Sequence, residues 1–317
     1  MKRKRINYPG RRDFALRQRG AAVLVAMLVV AIAALAASSF MFRSQVEWRR
    51  FENLSRMDQA QWVLRAAQQW GATVLLDDAR NSSVDHAGEA WATRLPPVEA
   101  EGYRMSGLME DQEGRFNLNN LVTNGTVDQQ QLAIFVRLLG ALRLPEILAV
   151  AVADWIDADD LPFNANSVDS TYYASLPTPY RATNQALSNI NELLRVKGVD
   201  RDILSVLRPF VTVLPTRTPI NVNTASPEVL VALVPGLSSE EAYSMVSKRE
   251  RVYYRNITDF QQALPSGMTA PASGVSVSSQ YFLVQARASN ERLSIGNQAL
   301  YRRVGAALPS LVWRSDL

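Results

Sequence analysis

Polar and apolar residues divide the first 80 positions into three stretches. Residues 1–20 are rich in lysine and arginine, residues 21–42 contain no charged side chain, and apolar residues then recur at three- and four-residue steps. An uncharged run of about 20 residues is long enough to cross the hydrocarbon of a bilayer as one helix. The recurring apolar positions predict that an amphipathic helix continues to about Leu76. The pattern therefore predicts one long helix, or two helices with a break near Phe42–Gln45.

Beyond residue 100 the pattern alternates between strand and helix. Tyr103–Leu121 reads as a hairpin with its turn near Gln112–Gly114. Capped helices follow, and their predicted N-caps are Thr126, Asp200, Ser226 and Ser238. Strand patterns return after Phe210 and dominate the last 45 residues. The predicted fold class is α+β, in which a large all-α domain is inserted between strands of one sheet.

The apolar stretch also bears on cellular location. The basic leader predicts a cytoplasmic N-terminus by the positive-inside rule, so the residues after Phe42 would lie on the other side of the membrane. Gly20 stands before the apolar run rather than after it. Cleavage there would remove the leader and keep the apolar helix, as in the prepilin class. The alternative is an uncleaved signal anchor, and this stretch alone leaves both readings open.

Composition narrows the function classes. The whole chain has a net charge of +4, but residues 1–20 contribute +7, so the remainder is slightly acidic and does not predict binding to nucleic acid. Cysteine is absent, which excludes disulfides and Cys-ligated zinc. His86 is the only histidine and lies in a polar segment. With no assembled nucleophile, base or metal triad in the sequence, we predict that the protein is not an enzyme.

An acidic run from Asp154 to Asp160 is the first candidate binding site. Calcium prefers six to eight oxygen ligands, and a helix end that leads into an acidic loop can supply them. Asp157 and Asp159 have the alternate spacing of a calcium loop, but the glycine and the final glutamate of an EF-hand are missing. The other interpretation is a solvated loop whose carboxylates cap helices.

Residues 220–249 are the second candidate, because they resemble a DNA-binding helix-hairpin-helix. That motif brings glycine-rich backbone close to phosphate. Here the hairpin reads Pro235-Gly-Leu-Ser238 and lacks the second glycine, while Lys248, Arg249 and Arg251 could form a basic patch. The first four residues of this segment, Ile220-Asn-Val-Asn223, resemble an earlier stretch, Phe116-Asn-Leu-Asn119. We interpret these asparagines as structural corners.

Several long segments together carry a family resemblance. They are the leader with Gly20, YRMSGLMEDQEGRFNLNNL, DWIDADDLP, LPTPYRATNQALSNINELLRVKGV and PINVNTASPEVL. In this order they resemble the minor pseudopilin K family of the type II (general) secretion pathway. The resemblance implies a pilin-like fold, with the long N-terminal helix packed on an antiparallel sheet. The domains would then be a cleaved leader, a membrane or filament-core helix, a pilin-like domain in two parts and an inserted helical domain, with boundaries at residues 1–20, 21–42, 43–121, 122–212 and 213–317.

The resemblance also implies processing, partners and a metal. A prepilin peptidase would cut after Gly20 and methylate Ala21. The protein would sit in the bacterial inner membrane as a single-pass protein, with its main domain in the periplasm, in a hetero-oligomer with minor pseudopilins I and J. The family's calcium site would carry over to Asp157, Asp159, Asp160 and Asp169, although Val168 replaces a carboxylate of the family pattern.

Position 25 departs from most pilin-like proteins. They carry a glutamate five residues after the processing glycine, and this chain has Val25. A buried carboxylate in lipid is costly unless it is paired, and a subunit at the filament tip has no subunit above it to pair with. The resemblance and Val25 together predict a subunit that initiates and caps the pseudopilus and so supports export of folded proteins across the outer membrane. The alternatives are a type IV pilus minor pilin and a membrane-anchored DNA-binding protein.

Overall fold

The computed structural model describes residues 13–160 and 170–317, with the side chains from Ala21 onward other than that of Leu95. The chain divides into two compact units, residues 1–61 and 62–317. Helix α1 (Asp13–Asn81) passes through Phe42–Gln45 without a break, so the prediction of one long helix is confirmed. Within the first unit, every residue from Ala21 to Phe42 is exposed. By length and composition, α1 is the helix of the described chain that could cross a membrane.

The second unit contains a five-stranded antiparallel sheet. Its strands are β1 (Leu95–Ala100), β2 (Tyr103–Asp111), β9 (Tyr281–Ser289), β10 (Ser294–Arg302) and β11 (Ser310–Asp316). They lie in the order β1-β2-β9-β10-β11. The C-terminal part of α1 packs on one face of this sheet, where a small core joins Ala72 and Leu75 to Trp91, Met109, Phe282, Val284, Ala299 and Tyr301. The long helix, the antiparallel sheet and the further helices confirm the α+β class.

Two helical blocks lie between the neighbouring strands β2 and β9. The first block begins with β3 (Phe116–Asn117) and ends with β6 (Val211–Thr212), and these two strands pair in parallel. The second block begins with β7 (Ile220–Asn221) and ends with β8 (Val275–Ser276), which also pair in parallel. The first and last strands of each block are therefore hydrogen-bonded neighbours, so the chain enters and leaves each block at adjacent positions. The predicted boundaries at residues 122 and 212 stay a prediction.

The elements inside the blocks are short. The first block contains the hairpin β4 (Val122–Thr123) and β5 (Thr126–Val127), then α2 (Gln129–Ala141), α3 (Leu148–Ile156), α4 (Ser170–Ala174) and α5 (Arg201–Leu207). The second contains α6 (Pro227–Leu233), α7 (Ser239–Arg249) and α8 (Ile257–Ala263). Four 3-10 helices complete the described chain, at Ala90–Ala92, Leu118–Leu121, Ile190–Arg195 and Ala272–Gly274. One continuous core of buried side chains, including Phe116, Phe135, Trp155, Leu230 and Phe260, runs through both blocks.

The helix caps follow the sequence closely, with one exception. Asp200, Ser226 and Ser238 are N-caps as predicted, and Ser238 forms a capping box with Glu241. The prediction for Thr126 is wrong, because Asp128 caps α2 by accepting from the N–H groups of Gln130 and Gln131. Thr126 instead belongs to β5, where its hydroxyl donates to the carbonyl of Thr123.

The predicted hairpin over Tyr103–Leu121 is also wrong. Strand β2 pairs with β1 and β9, whereas Phe116 pairs with Val211 in the first helical block. The reason is burial, since Phe116 is completely buried in the core of the helical blocks and could not lie on a half-exposed hairpin. The segment between them turns out of the sheet at Asp111, whose carboxylate accepts from the Glu113 N–H at 2.7 Å.

Candidate functional site

The acidic run begins at the C-terminus of α3. Asp157 is the C-cap of that helix, and its N–H donates to the Ala153 carbonyl at 3.0 Å. The residue is 5% exposed, and its Oδ1 has no hydrogen-bond partner among the described residues. Burial, followed by the charges of Asp154, Asp159 and Asp160, raises the pKa of Asp157 to about 7. A buried carboxylate oxygen without a donor, surrounded by other acids, is the environment that a cation stabilises.

A second segment of the first block meets the acidic run. Asp160 accepts hydrogen bonds from the Ser170 hydroxyl at 2.6 Å and from the Asn184 amide at 2.9 Å, and these donors lower its pKa. Asn184 has a φ of 46° and its Oδ1 is buried with no hydrogen-bond partner in the described chain. Thr183 donates to the Trp155 carbonyl at 3.3 Å. The amide oxygen of Asn184 is a further candidate metal ligand. The sequence did not indicate it, because Asn184 lies 24 residues beyond Asp160.

The remaining predicted residues are distributed as follows. Asp159 is exposed on the same loop as Asp157 and Asp160. Asp169 and Val168 lie outside the described residues. Ala21 and Val25 are on the exposed part of α1, where Val25 is 60% exposed, and Gly20 belongs to the same helix. The structure thus brings Asp160 into contact with Asn184, with Asp157 at the start of the same loop, and Ala21 lies at the start of the apolar run.

The helix-hairpin-helix segment is present as α6 and α7, and one of its three basic residues, Arg249, is used inside the fold, whereas Lys248 and Arg251 are exposed. The guanidinium of Arg249 donates to the carbonyls of Val222 and Ala225, and burial lowers its pKa to about 10. Glu241 caps the N-terminus of α7 with its own carboxylate. A phosphate at that helix end would meet this negative charge rather than free N–H groups. The internal use of Arg249 and the capping by Glu241 therefore argue against a phosphate site at this hairpin.

A buried carboxylate cluster joins the sheet to the second helical block, and the sequence did not indicate it. We define the cluster as Asp85, Asp111 and Glu113, which are at most 8% exposed. Asp111 accepts from the Thr224 hydroxyl at 2.5 Å, the Ser279 hydroxyl at 2.7 Å and the Asn221 amide at 3.0 Å. Glu113 accepts from the backbone N–H groups of Gln280 and Tyr281 at 2.7 and 3.1 Å. The acids, at residues 85 and 111–113, and their partners, at residues 221–224 and 279–281, come from four separate segments, so the cluster holds these segments together.

Burial shapes the charge of this cluster. It raises the pKa of Glu113 to about 8, with a further contribution from Asp111, and it raises the pKa of Asp85 to about 6. Arg303 is the cation that faces the cluster, and it forms ion pairs with Asp85 and with Asp78 of α1. Asp78, Asp85 and Glu89 have carboxylate oxygens close enough to hold a metal ion. The guanidinium of Arg303 already contacts two of them, so this group is an ion-pair network.

Comparison with known proteins identifies the class. Residues 114–216 match the family model "Type II secretion system (T2SS), protein K" for its first domain, and residues 220–278 match a second model with the same description. These two ranges correspond to the two helical blocks. The Type II secretion system protein K of Pseudomonas aeruginosa is 32% identical over 279 residues, which cover 84% of this chain and 83% of that protein. The protein of the same name from Pectobacterium carotovorum is 32% identical, with 85% and 88% covered.

A solved structure supports the fold. The crystal structure of the GspK-GspI-GspJ complex from the enterotoxigenic Escherichia coli type 2 secretion system matches with a TM-score of 0.75 and 22% identity, covering 84% of this chain and 99% of that one. The molecule is therefore a component of a protein-secretion machine with a pilin-like fold. More specifically, the chain belongs to the type II secretion system protein K family, the minor pseudopilin K that the sequence resembles, and that prediction is confirmed.

Proposed function

We propose that this pseudopilin initiates and caps the tip of the periplasmic pseudopilus together with minor pseudopilins I and J. Its family membership supports a structural role in secretion, and the matching fold was crystallised in a complex named GspK-GspI-GspJ. In this role the protein supports export of folded proteins across the outer membrane. Catalysis is not part of the proposal.

Val25 is the observation that carries tip placement. A glutamate at this depth of the apolar helix would need a cationic partner from a neighbouring subunit. Val25 lies on the exposed surface of α1 and requires none. A subunit with valine here can start a filament without leaving a charge unpaired in lipid, whereas every later subunit gains from a carboxylate that pairs with the subunit before it.

The test is Val25→Glu in the full-length protein, with Val29→Glu, one helical turn away, as the matched control. We expect Val25→Glu to appear along filament shafts or to stall initiation, measured by labelling of filaments and by the amount of secreted protein. Tip-only labelling with unchanged secretion would refute the charge argument. An equal defect in both variants would mean that any buried acid in this helix is harmful.

We further propose that the protein is processed and inserted as the prepilin class is. Prepilin peptidase would cut after Gly20 and methylate Ala21. The mature protein would then cross the inner membrane once, with its N-terminus facing the cytoplasm and its main domain in the periplasm. The mass and N-terminal sequence, measured with and without the peptidase, test this directly. A methylated Ala21 that appears only with the peptidase is expected, and an intact Met1 in both samples would contradict it.

Calcium is the proposed ligand of the acidic loop. Asp157, Asp159, Asp160 and Asp169 would supply carboxylates. The Oδ1 atoms of Asp157 and Asn184, which have no hydrogen-bond partner among the described residues, fit a hard cation that prefers oxygen. A bound cation would favour the ionised form of Asp157 and bring its pKa down from about 7. Calcium affinity is therefore expected to weaken as pH falls below 7, because protons compete for the same carboxylate.

The calcium test compares Asp157→Asn with Glu240→Gln, an exposed acid on α7 of the second block. Calcium at about 100 times its Kd should stabilise the unsubstituted protein by about 2.7 kcal/mol. Asp157→Asn should remove most of that stabilisation and Glu240→Gln none, in thermal unfolding with calcium or with a chelator. Equal stabilisation of all three proteins by calcium would place the ion elsewhere.

A further inference from the structure

The part of α1 that follows the apolar run carries an unusual set of exposed side chains. Trp48 is 70% exposed and Phe51 is 66% exposed, and their rings contact each other edge to face with centroids 6.4 Å apart. Arg43, Arg49 and Arg50 are exposed around them. We call these five residues the aromatic-arginine collar. Large apolar side chains this exposed on a helix mark a surface that another phase or molecule covers.

The charges of the collar are unpaired within the described chain. Arg56, one turn further along α1, forms an ion pair with Glu52, whereas none of the three collar arginines pairs with a carboxylate of the described residues. A guanidinium presents a planar set of donors that matches phosphate in a bidentate geometry. Two turns of the helix carry three guanidinium groups beside two aromatic rings. This surface suits a ligand that has both phosphate groups and apolar chains.

The position of the collar along α1 indicates which phosphate-bearing molecule would cover this surface. Trp48 is six residues beyond Phe42, so its Cα lies about 9 Å past the end of the apolar run. Side chains on a helix lean toward its N-terminus, which here is the membrane side, and this brings the rings and guanidinium groups back toward the bilayer. The headgroup layer is about 5–8 Å thick on each side, and aromatic residues are enriched there.

We propose that the collar binds the anionic phospholipid headgroups of the leaflet from which α1 emerges. The inference rests on the membrane insertion proposed above. The rings of Trp48 and Phe51 enter the boundary between headgroups and acyl chains, while Arg43, Arg49 and Arg50 bind phosphate groups. This contact fixes the height of the helix in the bilayer before a filament forms.

The experiment uses full-length protein reconstituted in vesicles of equal parts phosphatidylglycerol and phosphatidylcholine. The variants are the triple substitution Arg43→Gln, Arg49→Gln and Arg50→Gln, and the control Arg56→Gln. The ratio of the two lipids next to the protein is measured with spin-labelled lipids. Since one arginine near an anionic surface is worth about a fivefold change in partition, the triple variant should lose most of the phosphatidylglycerol preference. The basic leader is identical in all variants and contributes equally to each ratio.

A second readout addresses the aromatic residues. Brominated lipids should quench the part of the tryptophan emission that is lost in Trp48→Phe, and quenching should be strongest for bromines near the headgroups. An unchanged lipid ratio in the triple variant, or an equal fall in Arg56→Gln, would overturn the proposal while leaving insertion intact. Protein that does not float with the vesicles would overturn both insertion and the collar.

Discussion

The two helical blocks close in the same way but bury different chemistry at the point of closure. In the first block, Asn119 donates to the carbonyls of Leu187 and Leu214 and accepts from the Leu187 N–H at 2.8 Å. In the second, Asn223 donates to the carbonyl of Tyr254 and accepts from its N–H at 2.8 Å. The echo of Asn-x-Asn in the sequence therefore marks equivalent structural corners, as predicted.

The difference lies two residues earlier. Asn117 donates to the carbonyl of Thr216 and the hydroxyl of Thr218, which are neutral partners. Asn221 donates to the carboxylate of Asp111 as well as to Ser279 and the Asp85 carbonyl. The second corner is thus tied into the buried carboxylate cluster and to the sheet. The first corner holds the first block together, whereas the second corner holds the second block together and also joins it to the sheet of the pilin-like domain.

The largest expected effect comes from removing Arg303, the cation that faces the buried carboxylate cluster. Arg303→Met should lower the free energy of unfolding by about 3–5 kcal/mol, because it leaves Asp85 and Asp78 without their partner. Arg217→Met is the matched control, since Arg217 pairs with Asp128 at the surface of the first block and should cost under about 1 kcal/mol. Urea unfolding of the full chain in detergent measures both. Similar losses of unfolding free energy in the two variants would show that the buried ion pairs stabilise the fold no more than the surface pair does.

The second prediction concerns pH. The folded pKa of Glu113 is about 8, above its ordinary value of 4.5, so the folded state holds a proton that the unfolded state releases. This contribution to stability is complete below pH 4.5 and is lost as pH rises through 8. The slope should not exceed about 1.4 kcal/mol per pH unit for this one group. Asp85 acts in the same direction between its ordinary value of 3.8 and about 6.

The measurement is the unfolding free energy between pH 5 and 8.5 for the unsubstituted protein and for Glu113→Gln. The variant should be less sensitive to pH between 6 and 8, because glutamine keeps an acceptor for the N–H groups of Gln280 and Tyr281 but cannot titrate. The same pH dependence in both proteins would contradict the raised pKa of Glu113.

The smallest expected difference is between the two matched corners. Asn119→Ala and Asn223→Ala should each cost about 1–3 kcal/mol, because each leaves buried backbone groups without partners. Their effects should agree within about 1 kcal/mol, since each asparagine accepts from one backbone N–H, and Asn119 donates to two backbone carbonyls where Asn223 donates to one. Unfolding by urea under identical conditions provides the comparison. A loss confined to one variant would mean that the corners are alike only in sequence.

Apart from the cap at Thr126, the local signals named in the sequence predicted the structure correctly, whereas the distant pairings were not predicted. The long N-terminal helix, the capping box at Ser238 and Glu241, and the proline after Ser226 all depend on neighbours within a few residues, which a sequence displays directly. The hairpin prediction failed because Phe116 pairs with Val211, and no local pattern indicates a parallel partner so far along the chain. Glu113 looked like a turn residue and Asp111 like a strand end for the same reason. The partners of Asp111, Asn221 and Ser279, and those of Glu113, Gln280 and Tyr281, belong to distant segments.

The placement of both blocks between β2 and β9 has a consequence for the order of folding. The register that joins these strands pairs Asp111 with Phe282, residues 171 positions apart. Closing a loop that long from an unstructured chain is slower and less favourable than closing a short one. Because β3 meets β6 and β7 meets β8, each block that has already formed returns the chain to its starting point. The effective loop is then only tens of residues, which lowers the closure cost by about 1–2 kcal/mol. The centre of the sheet is therefore expected to form last, after the blocks that interrupt it.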